Sequence, residues 1–192
     1  MSLLISFPRT GLRRRPVRLP EEPHFDPGEV HRAVLAIERA PRPGPTARLS
    51  IRSDVAGLKV AGARRMLAGL PAPGDYGVVI KPLRYRARPS LSALCEFDLG
   101  RIILRLPEPF RPFDELVYYS ARRKRGGGMR FAWVAEKVRF RTPRDVLRFL
   151  YCHEWLHWYL REMQGMRAGA ETACDRFALR NFRRRQVTVA DA

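Results

Sequence analysis

The chain has 192 residues, of which 45% are hydrophobic and 29% charged, a composition typical of one ordinary globular domain with tails or a small accessory unit. Its formal net charge of +18 comes almost entirely from arginine, so the chain attracts polyanions without selecting one. Three cysteines without C-x-x-C spacing exclude a disulfide framework and a zinc ribbon, and no apolar run reaches the roughly 18 residues of a membrane span. We therefore expect a cytoplasmic protein without a membrane partner.

The N-terminal half is expected to be irregular and partly helical. Residues 1–27 are rich in proline and arginine without periodicity, which is typical of an extended basic arm. Residues 28–75 are expected to form a small helical region, whose second helix should run from Asp54, as N-cap, to Leu70. A short strand is expected between its two helices, at 47–52.

From residue 76 the pattern changes, and we place the core domain at 76–192. Alternating or β-rich runs predict strands at 77–81, 92–97, 101–106 and 129–141, and the run 113–121 predicts a short helix. The second and third of these strands flank a glycine-containing turn and should form a hairpin. The fold class expected from this order is α+β.

The strongest helix signal starts at Thr142. Thr142 can act as N-cap, Pro143 occupies the first helical position and Asp145 lies in the first turn, so a helix is predicted from Pro143 to about Gln164. Its aromatic side carries Tyr151, Trp155, Trp158 and Tyr159. Because a helix that is apolar on all sides is usually covered on both, we expect the N-terminal half or a partner subunit to cover the aromatic side.

This helix contains the run His153-Glu154-Trp155-Leu156-His157, an H-E-x-x-H motif that uses two of the four histidines. Residues four apart on a helix lie on one face, one turn apart, so both imidazoles can reach one tetrahedral metal ion. Glu154 then lies beside them, free to act as general base on a metal-bound water. The alternative interpretation is a pair of hydrogen-bonded core histidines.

A second helix is predicted at 170–185, and its apolar stripe also carries Glu171 and Asp175. Two carboxylates on a buried face are costly unless a cation or another partner compensates them. A catalytic site needs a third protein ligand, and no histidine follows His157, so Glu171 is predicted to be that ligand. Asp175 suits an outer position, where it accepts the other ring N–H of a ligand histidine. The alternative is that the acids only complement the helix dipole.

The combination of an H-E-x-x-H helix, a short turn and a second helix with Glu171, Asp175, Phe177 and Ala178 resembles the gluzincin zinc peptidases. It is most similar to the intracellular ImmA/IrrE-type peptidases, whose second helix reads approximately E-x-x-A-[DN]-x-F-A, and the resemblance covers about residues 130–185. It implies a zincin-like core in which a mixed sheet packs on the two helices. It also implies Zn²⁺ at His153, His157 and Glu171, with Glu154 as general base. Leu156 departs from the glycine that members of this type often carry there. SprT-like proteases are less similar, because their third ligand is a later histidine.

The resemblance implies a zinc metallopeptidase, a hydrolase that cleaves a protein or peptide substrate in a regulatory or processing role. We expect the substrate to add as a strand at a sheet edge, with 129–139 as the candidate, and Tyr118, Tyr119 and Tyr159 as candidate oxyanion helpers. The alternative function is a basic nucleic-acid-binding protein with a structural or inactive zinc site. The arginine clusters 13–15, 122–125 and 183–185 fit a nucleic-acid partner, whereas the scattered arginines fit the codon bias of a GC-rich genome, so both interpretations stay open.

Overall fold

The computed structural model describes residues 49–123, 131–166 and 170–192 of the chain. The basic arm predicted at 1–27, the first helix of the region 28–75 and the arginine cluster 13–15 lie outside these residues. So do the side chains of the cluster 122–125. Among the described helices, none combines the length and apolar character needed to cross a bilayer.

The described residues form a mixed four-stranded sheet, a two-stranded ribbon and three helices. In chain order the elements are β1 (Ile51–Ser53), α1 (Val60–Leu67), β2 (Gly77–Leu83), β3 (Ala93–Glu96), β4 (Arg101–Pro107), β5 (Phe113–Arg123), β6 (Phe131–Phe140), α2 (Pro143–Trp158) and α3 (Glu171–Asn181). The sheet has the order β1-β2-β4-β3, with β1, β2 and β4 parallel and β3 antiparallel at one edge. The ribbon pairs β5 with β6. The architecture is therefore mixed α and β, consistent with the α+β class expected.

The core lies between the sheet and α2. Ile80, Ile102 and Leu104 on the central strands are fully buried, and so are Leu147 and Trp155 of α2. All five belong to one continuous apolar cluster. Burying such side chains provides most of the driving force for folding, so the helix that carries the histidines is anchored to the sheet along its length.

The predicted hairpin is confirmed. Strands β3 and β4 pair antiparallel, with Ala93 opposite Leu104 and Glu96 opposite Arg101. The turn between them ends at Gly100, whose φ of 57° lies in the left-handed region that glycine tolerates.

The short helix predicted at 113–121 is wrong, because this segment is the strand β5. It pairs with β6 in the register Phe113 opposite Phe140 and Val117 opposite Glu136. The rings of Phe113 and Phe140 stack at 5.2 Å between centroids. Side chains on one face of β5 are buried against the helices, and this packing together with the β6 ladder outweighs the local helical pattern.

The predicted start of the second N-terminal helix is also wrong. The helix α1 begins at Val60, and Lys59 precedes it without a side-chain cap. Asp54 instead continues β1, because its N–H donates to the carbonyl of Ile80 at 2.8 Å and its carboxylate accepts from Arg52 at 3.0 Å. The region set apart at 28–75 thus contributes, at its described end, a strand to the sheet and a helix that packs on α2.

The helix α2 starts as predicted. The Thr142 hydroxyl accepts from the Asp145 N–H at 3.2 Å, and the Asp145 carboxylate accepts from the Thr142 N–H at 3.1 Å. This reciprocal capping box satisfies two of the free N–H groups at the helix start. The helix continues beyond Trp158 as a π-helical turn, Tyr159–Met163, so its total length agrees with the prediction.

The aromatic side of α2 is covered by the N-terminal half, which is one of the two coverings that we predicted. The Tyr151 hydroxyl donates to the carbonyl of Pro71 at 2.6 Å, and the Trp155 indole donates to that of Ala72 at 3.3 Å. The segment that follows α1 therefore closes over this side and satisfies the polar atoms of both rings.

Candidate metal centre

The two histidines of α2 converge on one point. Their Nε2 atoms lie 3.1 Å apart, and both side chains are about 85% buried, with 14% and 15% exposed. This follows from the helix, since positions i and i+4 bring both rings to the same face. Two ring nitrogens at this distance either share a proton or direct their lone pairs to a common cation.

Glu171, the first residue of α3, completes a triangle of ligand atoms. One carboxylate oxygen lies 3.3 Å from His153 Nε2 and the other lies 3.3 Å from His157 Nε2. Zinc–nitrogen distances of about 2.0–2.1 Å in a tetrahedral site place neighbouring ligand atoms about 3.3 Å apart. The three side chains therefore fit three corners of a zinc tetrahedron, and the exposed carboxylate, with 70% of its side chain accessible, leaves the site open to solvent.

Asp175 lies one turn further along α3 and contacts the far nitrogen of His153. The distance from its carboxylate oxygen to His153 Nδ1 is 2.9 Å. When Nδ1–H donates to this carboxylate, Nε2 carries the free lone pair and faces Glu171. The tertiary structure therefore brings together His153, His157, Glu171 and Asp175, all predicted from sequence.

Glu154 lies beside the histidines and is almost completely buried, with 6% exposed. Burial raises the pKa of its carboxyl group to about 7, while the charge on His153 and a backbone hydrogen bond at Cys95 oppose this rise. A carboxylate with a pKa near neutrality can both accept and return a proton at physiological pH. A divalent cation held by the neighbouring histidines would favour the ionised form.

The two histidines differ in their electrostatics. Burial lowers the pKa of His153, but the hydrogen bond that the ring donates to Asp175 and the charges of Glu154, Asp175 and Glu171 outweigh it, so that the net shift is upward. The pKa of His157 is lowered by burial and by the charge of His153, despite the nearby Glu171. The pair therefore does not favour holding two protons, which suits a shared cation.

These groups open into a cleft of about 580 Å³ between β3 and the two helices. Its lining includes the five site residues named above and, on the β3 side and along α2, Leu91, Ser92, Ala93, Leu94, Cys95, Phe97, Phe149 and Leu150. The strand beside the histidines is thus β3. The substrate edge was expected at 129–139, and its described part, residues 131–139, belongs to β6 in the ribbon and does not line the cleft.

The residues of β3 were not predicted to be part of the site. Nothing in a four-residue strand signals that it borders a cleft, although a short strand in a hairpin is a candidate for the edge of a sheet. Burial raises the pKa of the Cys95 thiol to about 12, so this cleft residue is not a thiolate nucleophile. No tyrosine is found among the described residues that line the cleft, and Tyr118, Tyr119 and Tyr159 therefore lie elsewhere.

Part of the arginine cluster 183–185 serves the fold. Arg183 lies over the ring of Phe182, 4.7 Å from its centroid, and donates to the carbonyl of Arg139 at 3.0 Å. Arg184 pairs with Asp191 at 2.6 Å. At least two of the three cations therefore have intramolecular partners.

Comparison of the chain with protein-family models, with curated proteins and with solved structures finds no match. The geometry of the centre is consequently the basis for the functional interpretation.

Proposed function

We propose that this protein is a zinc metallopeptidase of the gluzincin type, with His153, His157 and Glu171 as metal ligands and Glu154 as general base. The observation that carries the proposal is the convergence of two imidazole nitrogens and one carboxylate within 3.3 Å of each other, in an open cleft. A structural zinc site has four protein ligands, whereas three ligands beside an acid are typical of a catalytic one.

Zinc bound there would acidify a water molecule and polarise the scissile carbonyl group. The two imidazoles and one carboxylate match the His₂Glu ligand set of catalytic zinc sites. Asp175 orients His153 and increases the basicity of its Nε2. Each of these roles needs only side chains that the described contacts already place together.

Glu154 takes the proton of the attacking water and delivers it to the leaving amine. Its burial and its raised pKa suit both steps, because the carboxylate accepts a proton readily and the acid releases it near neutral pH. Its position next to His153 in the chain also keeps it within the same cleft.

The free edge of β3 suits an extended peptide. Among the described residues β3 pairs with β4 alone, and Ala93, Leu94 and Cys95 line the cleft, so the unpaired edge of β3 borders it. The backbone of Cys95 also bonds to Glu154, which lies beside this edge. A substrate strand that adds to this edge would be held by main-chain hydrogen bonds, and its side chains would contact the apolar lining. The substrate class is therefore an extended segment of a protein or a peptide.

The proposed relationship to zincin-like and ImmA/IrrE-type peptidases is supported by the motif and by the order of the elements. A mixed sheet precedes the H-E-x-x-H helix α2, and the ligand helix α3 follows it after a short turn. On this basis we assign the protein to intracellular regulatory or processing proteolysis rather than to nucleic-acid binding with an inactive zinc site.

Metal analysis of the purified full chain tests the ligand set. The parent should contain about one zinc per chain, and His153→Ala, His157→Ala and Glu171→Ala should each lose it. Glu136→Ala, which removes a carboxylate outside the cleft, is the matched control. Full zinc retention by Glu171→Ala would show that the third ligand is another residue.

Hydrolysis tests the catalytic role. Glu154→Gln should retain zinc and fold but lose cleavage of labelled casein, because an amide cannot accept the proton. Glu115→Gln, a half-buried carboxyl outside the cleft, should cleave like the parent. Equal cleavage by Glu154→Gln and the parent would contradict the proposed base, and zinc binding without any cleavage by the parent would favour the structural site.

A further inference from the structure

The ribbon of β5 and β6 has an outer face that carries three large, exposed apolar side chains. Leu116, Tyr118 and Trp133 are 40%, 37% and 56% exposed, respectively. The opposite face of the ribbon is buried through Phe113 and Val117 on β5 and through Val138 and Phe140 on β6, and it packs on the helices. Exposed apolar side chains that are grouped on one face, rather than scattered singly, are typical of interaction sites.

The strand register brings the two aromatic rings of this face together. Tyr118 pairs with Ala135, and Trp133 pairs with Ala121 on the neighbouring strand. The ring centroids of Tyr118 and Trp133 lie 6.5 Å apart at an interplanar angle of 83°. The edge-to-face contact holds both rings in place while Trp133 keeps more than half of its surface exposed, so a flat group can stack on it.

The same face continues into cationic residues. Lys137 lies opposite Leu116, and Arg139 lies opposite Asp114. Both cations pair with the single carboxylate of Asp114, at 3.2 Å and 3.3 Å. Two positive charges beside one negative charge leave a net positive charge next to the two aromatic rings.

The occupant of this face must combine flat apolar groups with negative charge. A second copy of the chain does not fit, because each copy carries a net charge of +18 and would repel the other. Single-stranded nucleic acid fits, since its bases stack on exposed aromatic rings and its phosphates bind nearby lysine and arginine side chains.

We infer that the outer face of the β5–β6 ribbon binds single-stranded nucleic acid, with bases on Trp133 and Tyr118 and phosphates at Lys137 and Arg139. None of these residues lines the cleft of the metal centre, so the inference stands independently of the proposed peptidase activity. It also depends on described side chains and not on the arginine clusters of the sequence.

Tryptophan fluorescence provides a direct test. The chain has three tryptophans, and Trp155 and Trp158 are buried, with 0% and 8% exposed. Titration of the full chain with dT20 or rU20 should therefore quench Trp133, and Trp133→Ala should lose this quenching.

Affinity measured by anisotropy of labelled dT20 should fall about 5- to 150-fold in Trp133→Ala, the loss of one stacked base. Trp133→Phe, which keeps an aromatic face, should retain most of the affinity. Tyr118→Ala tests the contribution of the second aromatic ring, which lies on the neighbouring strand. Thermal unfolding verifies that each variant is folded.

The salt dependence tests the phosphate contacts. Replacing Lys137 and Arg139 by glutamine should reduce the slope of log K against log salt by about 1.4, the value for two contacts to a single strand. The matched control removes two exposed charges from α1, Arg64→Gln with Arg65→Gln, and should change the slope less.

Three results would overturn the inference. The first is unchanged affinity and quenching in Trp133→Ala. The second is competition by poly-glutamate of equal charge as strong as that of dT20, which would indicate attraction of any polyanion or an acidic protein partner. The third is concentration-dependent self-association that Trp133→Ala abolishes, which would make the occupant a second copy.

Discussion

Asp175 determines which nitrogen of His153 faces the cleft. Its carboxylate contacts Nδ1 at 2.9 Å and is one of the groups that raise the pKa of this histidine. A residue with this position acts on the metal only through the ligand that it orients.

We expect Asp175→Asn to bind zinc about 10- to 100-fold more weakly than the parent while keeping the same maximal stoichiometry. The amide can still contact the ring, but it lacks the charge that makes Nε2 a stronger base. Competition with a chromophoric zinc chelator at neutral pH measures the affinity, and Asp98→Asn, an exposed acid outside the cleft, is the control. Unchanged zinc affinity in Asp175→Asn would contradict the proposed role of Asp175.

Arg148 shows how tertiary structure can reverse a residue-scale expectation. By helical spacing it lies on the side of α2 opposite His153, where an arginine is expected to be exposed. Only 2% of it is exposed. Its guanidinium donates to the carbonyls of Met66 and Ala68 at the C-terminal end of α1, and to those of Phe182 and Arg184 just after α3. One side chain therefore ties both flanking segments to the helix that carries the histidines.

Replacing Arg148 by alanine should lower the free energy of unfolding by about 3 kcal/mol, because four buried or partly buried carbonyl groups lose a charged donor. Urea unfolding followed by circular dichroism measures the change. Arg144→Ala, an exposed arginine one turn earlier on the same helix, should cost less than about 0.5 kcal/mol. A similar small effect at both positions would show that water replaces the guanidinium without cost.

At the scale of the elements, α2 was predictable because its signals are local. The capping box of Thr142 and Asp145 and the i, i+4 spacing of His153 and His157 depend on residues within one or two turns. The strand β5 was not predictable from its own sequence, since it becomes a strand through its ladder with β6 and its packing on the helices. The predicted start of α1 was wrong for the same reason, because the Asp54 N–H bonds to the neighbouring strand β2 and does not start the helix.

The junction after α1 depends on Gly69. Its φ of 80° lies in the left-handed region, and a Cβ atom there would lie 2.2 Å from the carbonyl oxygen of Arg185. Its own carbonyl accepts from the N–H of Val187 at 2.8 Å. The C-terminal segment therefore packs directly on the backbone of this glycine.

We expect Gly69→Ala to destabilise the protein more than Gly57→Ala does. Gly57 has a similar φ of 75° but open space around its Cα atom. Alanine there costs only the free energy of placing an L-residue in the left-handed region, about 1–2 kcal/mol. At Gly69 a steric clash with backbone adds about 1–3 kcal/mol. Equal midpoints of urea unfolding for the two variants would show that the C-terminal segment moves away freely.

At the scale of the whole molecule, the metal centre joins the two helices that follow the sheet. Glu171 begins α3, while His153 and His157 lie in the middle of α2. Zinc bound to all three side chains would bind the folded state and not the unfolded chain, and would therefore stabilise the fold.

Zinc at about 100 times its dissociation constant should add roughly 2.7 kcal/mol to the free energy of unfolding. For a domain of this size that raises the melting temperature by about 5–10 °C, measured by calorimetry with zinc and after EDTA treatment. The increase should be smaller at pH 5.5 than at pH 7.5, because protons compete for the histidine nitrogens. The His157→Ala variant is the control, and an equal zinc effect in that variant would place the metal elsewhere.

The sequence by itself determined the helix α2, the hairpin of β3 and β4, and the four side chains His153, His157, Glu171 and Asp175 as one group. These features follow from helical and strand periodicity and from the cost of burying charge, which act between residues close in the chain.

Only the tertiary structure decided that β3 borders the cleft, that Arg148 is buried, and that Trp133 is exposed beside Tyr118. Each of these depends on segments far apart in sequence that meet through sheet pairing and helix packing. The geometry of such contacts is set by the whole core and leaves no local pattern in the chain.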